Sequence, residues 1–239
     1  MMDNALHYLA LNRQRGLSAE LSEIANNIAN LSTPGFRREG AVFSEFVVGA
    51  GTGGSLSMAD MNARFTDSRP GRVETTGGAF DLAIVGEGFF QVLTDAGPRL
   101  TRSGAFLRDS EGLLASQTGA LVLDEAGAPI FMPADAGKIS VGKDGTISAG
   151  GLPVGQIAVV SAPDIEMSRD GRTVFKARGR VEPAEDYTIL HKALEGSNVD
   201  PVGELARMIE VTRAYEGVQS IIEDEDQRIR GALETLARA

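Results

Sequence analysis

Several places in the chain carry residue types and spacings that chemistry could use. Gly86-Glu87-Gly88-Phe89-Phe90-Gln91 opens like a dinucleotide-binding turn. It lacks the third glycine and the following helix, so a turn between two strands fits it better. Gly49-Ala50-Gly51-Thr52-Gly53-Gly54 has no Gly-Lys-Ser/Thr ending and reads as a linker, not a phosphate loop. Glu223-Asp224-Glu225-Asp226 has the charge to hold a cation. On a helix, however, consecutive side chains fan out about 100° apart and cannot converge on one ion. Asp109-Ser110-Glu111-Gly112 lacks the terminal glutamate of a calcium loop, and His191 has no recognisable nucleophile and carboxylate beside it. Asn26, Asn27 and Asn30 differ, because so many asparagines at one helix end carry a propensity cost that something must offset. Two uses are open to them. They can cap the helix end, or they can fix register against neighbouring helices as buried asparagines do in coiled coils.

Composition narrows the chemistry further. Cysteine is absent from the 239 residues, which excludes disulfides, thiolate zinc sites and cysteine nucleophiles together. Two histidines are too few for a histidine metal cluster, so neither a metal nor a cofactor is implied, and no catalytic residue can be named. A net charge of -10 argues against a nucleic-acid partner, which needs a basic face to displace phosphate counterions. Apolar runs are too short to span a bilayer, and the first residues lack the basic and apolar regions of a cleavable signal.

The elements that must position these residues form an α+β chain. Leu17, Leu21, Ile24, Ile28 and Leu31 lie on one helical stripe, and Ser32-Thr33-Pro34-Gly35 stops the helix, giving an N-terminal helical segment over 1–35. Residues 36–78 show little periodicity and read as an extended, glycine-rich connector with short strands. From 79 to 190, strand-like runs alternate with closely spaced turn signals, which predicts an antiparallel β domain. The segment 191–239 carries a second long helix, with Asp200 as N-cap and Pro201 at the first helical position. Its stripe is Met208, Val211, Tyr215, Val218 and Ile222. Both stripes are narrow, like coiled-coil seams, so each helix needs a partner.

The same residues carry a family resemblance. Ala25-Asn26-Asn27-Ile28-Ala29-Asn30-Leu31-Ser32-Thr33-Pro34-Gly35-Phe36-Arg37 resembles the amino-terminal signature of the flagellar rod and hook family. Leu82 to Val92 is similar to the motif that opens that family's β domain. Leu194-Glu195-Gly196-Ser197-Asn198-Val199-Asp200 and Met208 to Glu216 resemble its carboxy-terminal signature. Ser32 stands where the family usually has asparagine, and Pro34 where a small polar residue is common; both keep the helix stop. The opening Met2-Asp3-Asn4-Ala5-Leu6 and the compact length look most like proximal-rod members, with the distal rod as the alternative.

The resemblance implies a structural subunit, not an enzyme. Its terminal helices would pair and pack with copies of itself and with other rod proteins into a helical tube in the periplasm, transmitting torque to hook and filament. The subunit would leave the cell unfolded through the flagellar type III export apparatus, without a cleavable signal. The expected assembly interface is Leu17, Leu21, Ile24, Asn26, Asn27, Ile28, Asn30, Leu31, Gly35 and Phe36, with Asn198, Met208, Ile209, Val211, Tyr215, Val218 and Ile222. The isolated chain is expected to fold at its centre, about 77–189, and to order its ends on assembly. The competing reading is a monomeric β module that binds a carbohydrate or a surface.

Overall fold

The structure, a computed structural model, describes residues 2–50, 54–134, 137–161 and 167–237, with backbone alone over 2–9, 42–50, 54–63, 232–233 and 235–237. It divides into two compact units: Met1–Asn30 with Arg38–Asp67 and Val199–Ala239, and Leu31–Arg37 with Ser68–Asn198.

The first unit is built from helix α1 (Met2–Ala29), a hairpin of strands β1 (Glu39–Ala50) and β2 (Gly54–Thr66), and helix α2 (Pro201–Ala237). Helix α2 starts where its sequence predicts: Asp200 Oδ1 accepts the Val202 N–H at 3.2 Å, a standard N-cap bond. The helices pack antiparallel, with Gln14 against Tyr215 and Gln219, Glu20 against Arg207, and Asn27 against Glu204. In that register the start of α1 falls opposite roughly residue 229, so about eight residues of α2 run past it.

The hairpin corrects the expectation for 36–78. Its strands are 12 and 13 residues long, in register from Glu39↔Thr66 to Ala50↔Gly54, with a shift between Val42 and Phe43. Strand β2 does alternate, with Leu56, Met58, Met61, Ala63 and Phe65 apolar, but the alternation slips by one residue after Met58, which breaks the period-2 signal of a strand. Of the glycine-rich tract, Gly51, Thr52 and Gly53 lie outside the described residues.

The second unit is the antiparallel β domain. Strand β3 (Val73–Thr75) precedes β4 (Leu82–Gly86), β5 (Phe89–Thr94) and β6 (Gly97–Thr101). Gly86 and Gly88 adopt φ of 104° and 114° between β4 and β5, so the glycine pair is the turn that its context predicts. Strand β5 is central to a nine-stranded sheet, pairing with β6, Leu121–Val122 and Val159–Ser161. The core gathers Leu82, Ile84, Phe90, Val92, Ile157 and Ile189, with Phe90 and Phe106 edge to face at 5.2 Å.

This unit reaches beyond 79–190 on both sides. Tyr187–His191 pairs with β4, and Lys192 then turns the chain at φ 61°. Ala193–Glu195 continues as a strand on β3, where the sequence offered only the approach to the second helix. Residues 31–37 also belong here, although the sequence placed 31–35 with the N-terminal helix and 36–37 with the connector.

Candidate assembly interface

The expected interface residues fall into three groups, each held within one unit. The first is the asparagine cluster at the end of α1. Asn27 is 1% exposed, and its carboxamide pairs with the Glu39 backbone: Nδ2 donates to the carbonyl at 2.8 Å and Oδ1 accepts the N–H at 3.0 Å. The same Nδ2 lies 3.3 Å from Glu204 Oε2, so one side chain ties α1 to both β1 and α2. Arg38 Nε completes the cluster by pairing with Glu204 Oε1. Asn26 Nδ2 donates to Glu39 Oε2 at 3.3 Å, and Asn30 Nδ2 donates to the Asn26 carbonyl at 2.8 Å. Asn30 thus satisfies a helix-end carbonyl, while Asn27 bonds to two other elements of its own chain.

The second group is the pair of helical stripes. Ile24, Val211 and Val218 are buried; Leu17, Leu21, Ile28, Met208, Tyr215 and Ile222 are half-buried. Tyr215 accepts a hydrogen bond from Gln14 Nε2 at 3.1 Å. Ile209 is not in the seam. It is 48% exposed and lies in a row with Val202 and Leu205, at spacings that share one helix face. An ion pair, Arg207–Glu20 at 2.7 Å, borders the seam, and its hydrogen bond holds the Arg207 pKa above its ordinary value.

The third group lies in the β unit. The Gly35 N–H donates to the Glu195 carbonyl at 2.7 Å, Phe36 is fully buried under the Arg169 guanidinium at 4.7 Å, and half-buried Leu31 opens this segment. Asn198 Nδ2 donates to the Arg69 carbonyl at 2.8 Å, and its N–H reaches the Phe36 carbonyl at 3.3 Å.

The other candidates take structural places. His191 Nε2 lies 2.9 Å from the Ala79 carbonyl. In the acidic run, Glu225 pairs with Arg228 at 2.6 Å and Glu223 accepts from Gln219 at 3.0 Å, so the carboxylates face separate partners. Among the described residues no group of three or more acidic or histidine side chains could hold a metal, and no helix is long and apolar enough to cross a membrane.

Comparison with known proteins decides what this arrangement belongs to. Residues 8–37 match the family model described as flagella basal body rod protein. Residues 83–149 match that of the flagellar hook protein FlgE/F/G D1 domain, and 191–235 that of the flagellar basal body rod FlgEFG protein C-terminal. The chain is 38% identical to the flagellar basal-body rod protein FlgF of Caulobacter vibrioides, over 99% of each chain. The chain belongs to the flagellar basal-body rod protein family. The FlgF of Rhizobium meliloti is 35% identical over 96% of each chain, and the FlgG of Bacillus subtilis 30% identical over 92% of this chain and 94% of that one. Membership makes the chain a structural rod protein of FlgF type and places it in the flagellar basal body. The relatives are named for a structural role, not for a reaction.

Sequence reasoning overlooked the charged partners of this rod protein's signatures. Glu39, Glu195 and Glu204 are all buried, as are Arg37 and Arg102. A signal was present at Glu195 and Arg37, each a charged residue inside a motif otherwise rich in glycine and small polar residues. Glu204 carried no such signal, because an acidic residue in the first turn of a helix suits the helix dipole whether or not it is buried.

Proposed function

We propose that the chain polymerises through α1 and α2 into the periplasmic proximal rod, the helices forming a coiled-coil-like core with those of neighbouring copies and of other rod proteins. The observation that carries this reading is the two-sidedness of α2. Val211 and Val218 are buried, while Val202, Leu205 and Ile209 stand 77%, 55% and 48% exposed in one row. Full burial of such side chains contributes about 1.5–3 kcal/mol each, enough to drive helix association once several copies engage. A head-to-tail contact that does not close a ring extends into a filament, which is the geometry a drive shaft transmitting torque requires. Export in the unfolded state through the flagellar type III apparatus fits a chain without cysteine, which has no disulfide to form or break on the way. The distal rod remains the second reading within the family, supported by the FlgG relatives at 30% identity.

The test introduces aspartate at Val202, Leu205 and Ile209 together. The expected result is a variant that sediments as a monomer where the parent polymerises, fails to restore swimming to a strain lacking the parent chain, and keeps the parent's β-domain melt. Normal swimming with unchanged sedimentation would overturn the reading.

A further inference from the structure

We propose that residues 31–37 are a latch of the β unit, closed in the free chain by the buried carboxylate of Glu195. This goes beyond the rod reading, because it concerns the single chain before any neighbour binds.

Three kinds of contact hold the segment. The first is backbone: the Gly35 N–H donates to the Glu195 carbonyl at 2.7 Å, and the Asn198 N–H donates to the Phe36 carbonyl at 3.3 Å. The second is close packing. Gly35 has φ 68°, and a Cβ there would lie 2.2 Å from the Ser103 nitrogen, so the chain rests directly on the Arg102–Ser103 backbone. Phe36 fills its place completely under Arg169, whose Nη2 donates to the Arg37 carbonyl.

The third contact is charge. The Glu195 side chain has no exposed surface, yet both of its oxygens are used. Oε1 meets Arg37 Nη1 at 2.7 Å and accepts the Gly71 N–H at 2.9 Å. Oε2 faces Arg102 Nη1 at 3.5 Å. Burial lowers the Arg102 pKa and Glu195 opposes that shift, while Arg37 adds to it. One carboxylate therefore faces two buried guanidiniums, and removing it takes a charge partner from each of them in a buried site. The strand that carries Glu195 and the segment that carries Arg37 are the two flanks of the β unit, and the same side chain anchors both.

The consequence is a limit on disorder. Local opening of the helical unit in the free chain then stops at a fixed point. The latch puts that point at residue 31 on one side and 198 on the other, so the Thr33–Arg37 part of the signature has its final shape before assembly.

Amide exchange on the full-length chain, at a concentration where it sediments as a monomer, tests this. Gly35 and Asn198 should exchange as slowly as amides of strand β5. Glu195→Gln, which keeps the shape and removes the charge, should speed them by at least about tenfold while β5 amides keep their protection. Gly35→Ala should have the same effect with no change in charge. If Gly35 in the parent exchanges at the rate of an unfolded chain, the latch does not exist. Unchanged protection in Glu195→Gln would overturn the role of the carboxylate. If that variant loses core protection as well, Gly35→Ala decides: selective loss at 31–37 supports the latch and unchanged protection overturns it.

Discussion

The carboxamide of Asn27 is hydrogen-bonded to both backbone groups of Glu39, as a neighbouring strand would be, at 2.8 and 3.0 Å. A helix side chain here completes the edge of a hairpin. Because its Nδ2 also faces Glu204, the two helices and the hairpin share one buried polar centre.

Asn27→Ala removes that centre and takes a hydrogen bond from each of the buried Glu39 N–H and C=O groups. The expected loss is about 2–4 kcal/mol from the helical unit. Far-UV circular dichroism should show its melt moving down, while amide exchange in strand β5 stays at the parent's rate. Asn27→Asp should be worse than alanine, since it sets a carboxylate beside Glu39 and Glu204.

Lys192 turns the chain at φ 61°, a region that costs an L-residue roughly 1–2 kcal/mol. Lys192→Gly relieves that strain, less the extra backbone entropy that glycine loses on folding, so its net effect lies between about 0 and +1 kcal/mol of stability. Lys192→Val should destabilise, because a branched side chain is least tolerated there. Thermal unfolding of the pair checks the order: glycine above the parent, valine below it.

Asp144 accepts the Thr146 hydroxyl at 2.7 Å and the Thr146 N–H at 3.1 Å. The hydroxyl bond first, and the backbone bond second, hold its carboxyl below the ordinary value of 3.8. A depressed carboxylate stabilises the fold fully above its unfolded value, and that contribution disappears as the pH falls through the folded value. Asp144→Asn should therefore flatten part of the acid limb of the stability profile and leave the neutral plateau's slope unchanged. Denaturant unfolding from pH 2 to 6 measures it.

The Arg207–Glu20 pair is partly open to water, with side chains 46% and 13% exposed. A double-mutant cycle should give a coupling of about 0.3–1 kcal/mol, reduced in molar salt. The hydrogen bond to Glu20 holds the Arg207 guanidinium above its ordinary pKa, so the arginine stays charged and the coupling should not change across neutral pH.

The helices and the β meander were legible because each leaves a periodic or punctuated trace: Asp200 and Pro201 mark a start, and Gly86 and Gly88 mark a turn. The hairpin was not, since its first strand runs Ala41-Val42-Phe43 and Phe46-Val47-Val48 without alternating, and the alternation of its second slips by one residue between Met58 and Met61. The three asparagines stood out by their helix cost, but their partners did not. Nothing in the spacing of Asn27, Glu39 and Glu204 reveals that they meet, because that contact is made by tertiary packing across 177 residues of separation. Ile209 shows the opposite limit. Its place beside Met208 was plain, but whether it faced the seam or the solvent depended on the direction from which α1 approaches.

The helices also differ in length, 28 residues against 37. At 1.5 Å per residue the surplus is about 13 Å, all of it at one end. In the proposed stack the overhanging turns would all point one way, so its two ends would differ chemically, one offering helix tips and the other helix roots.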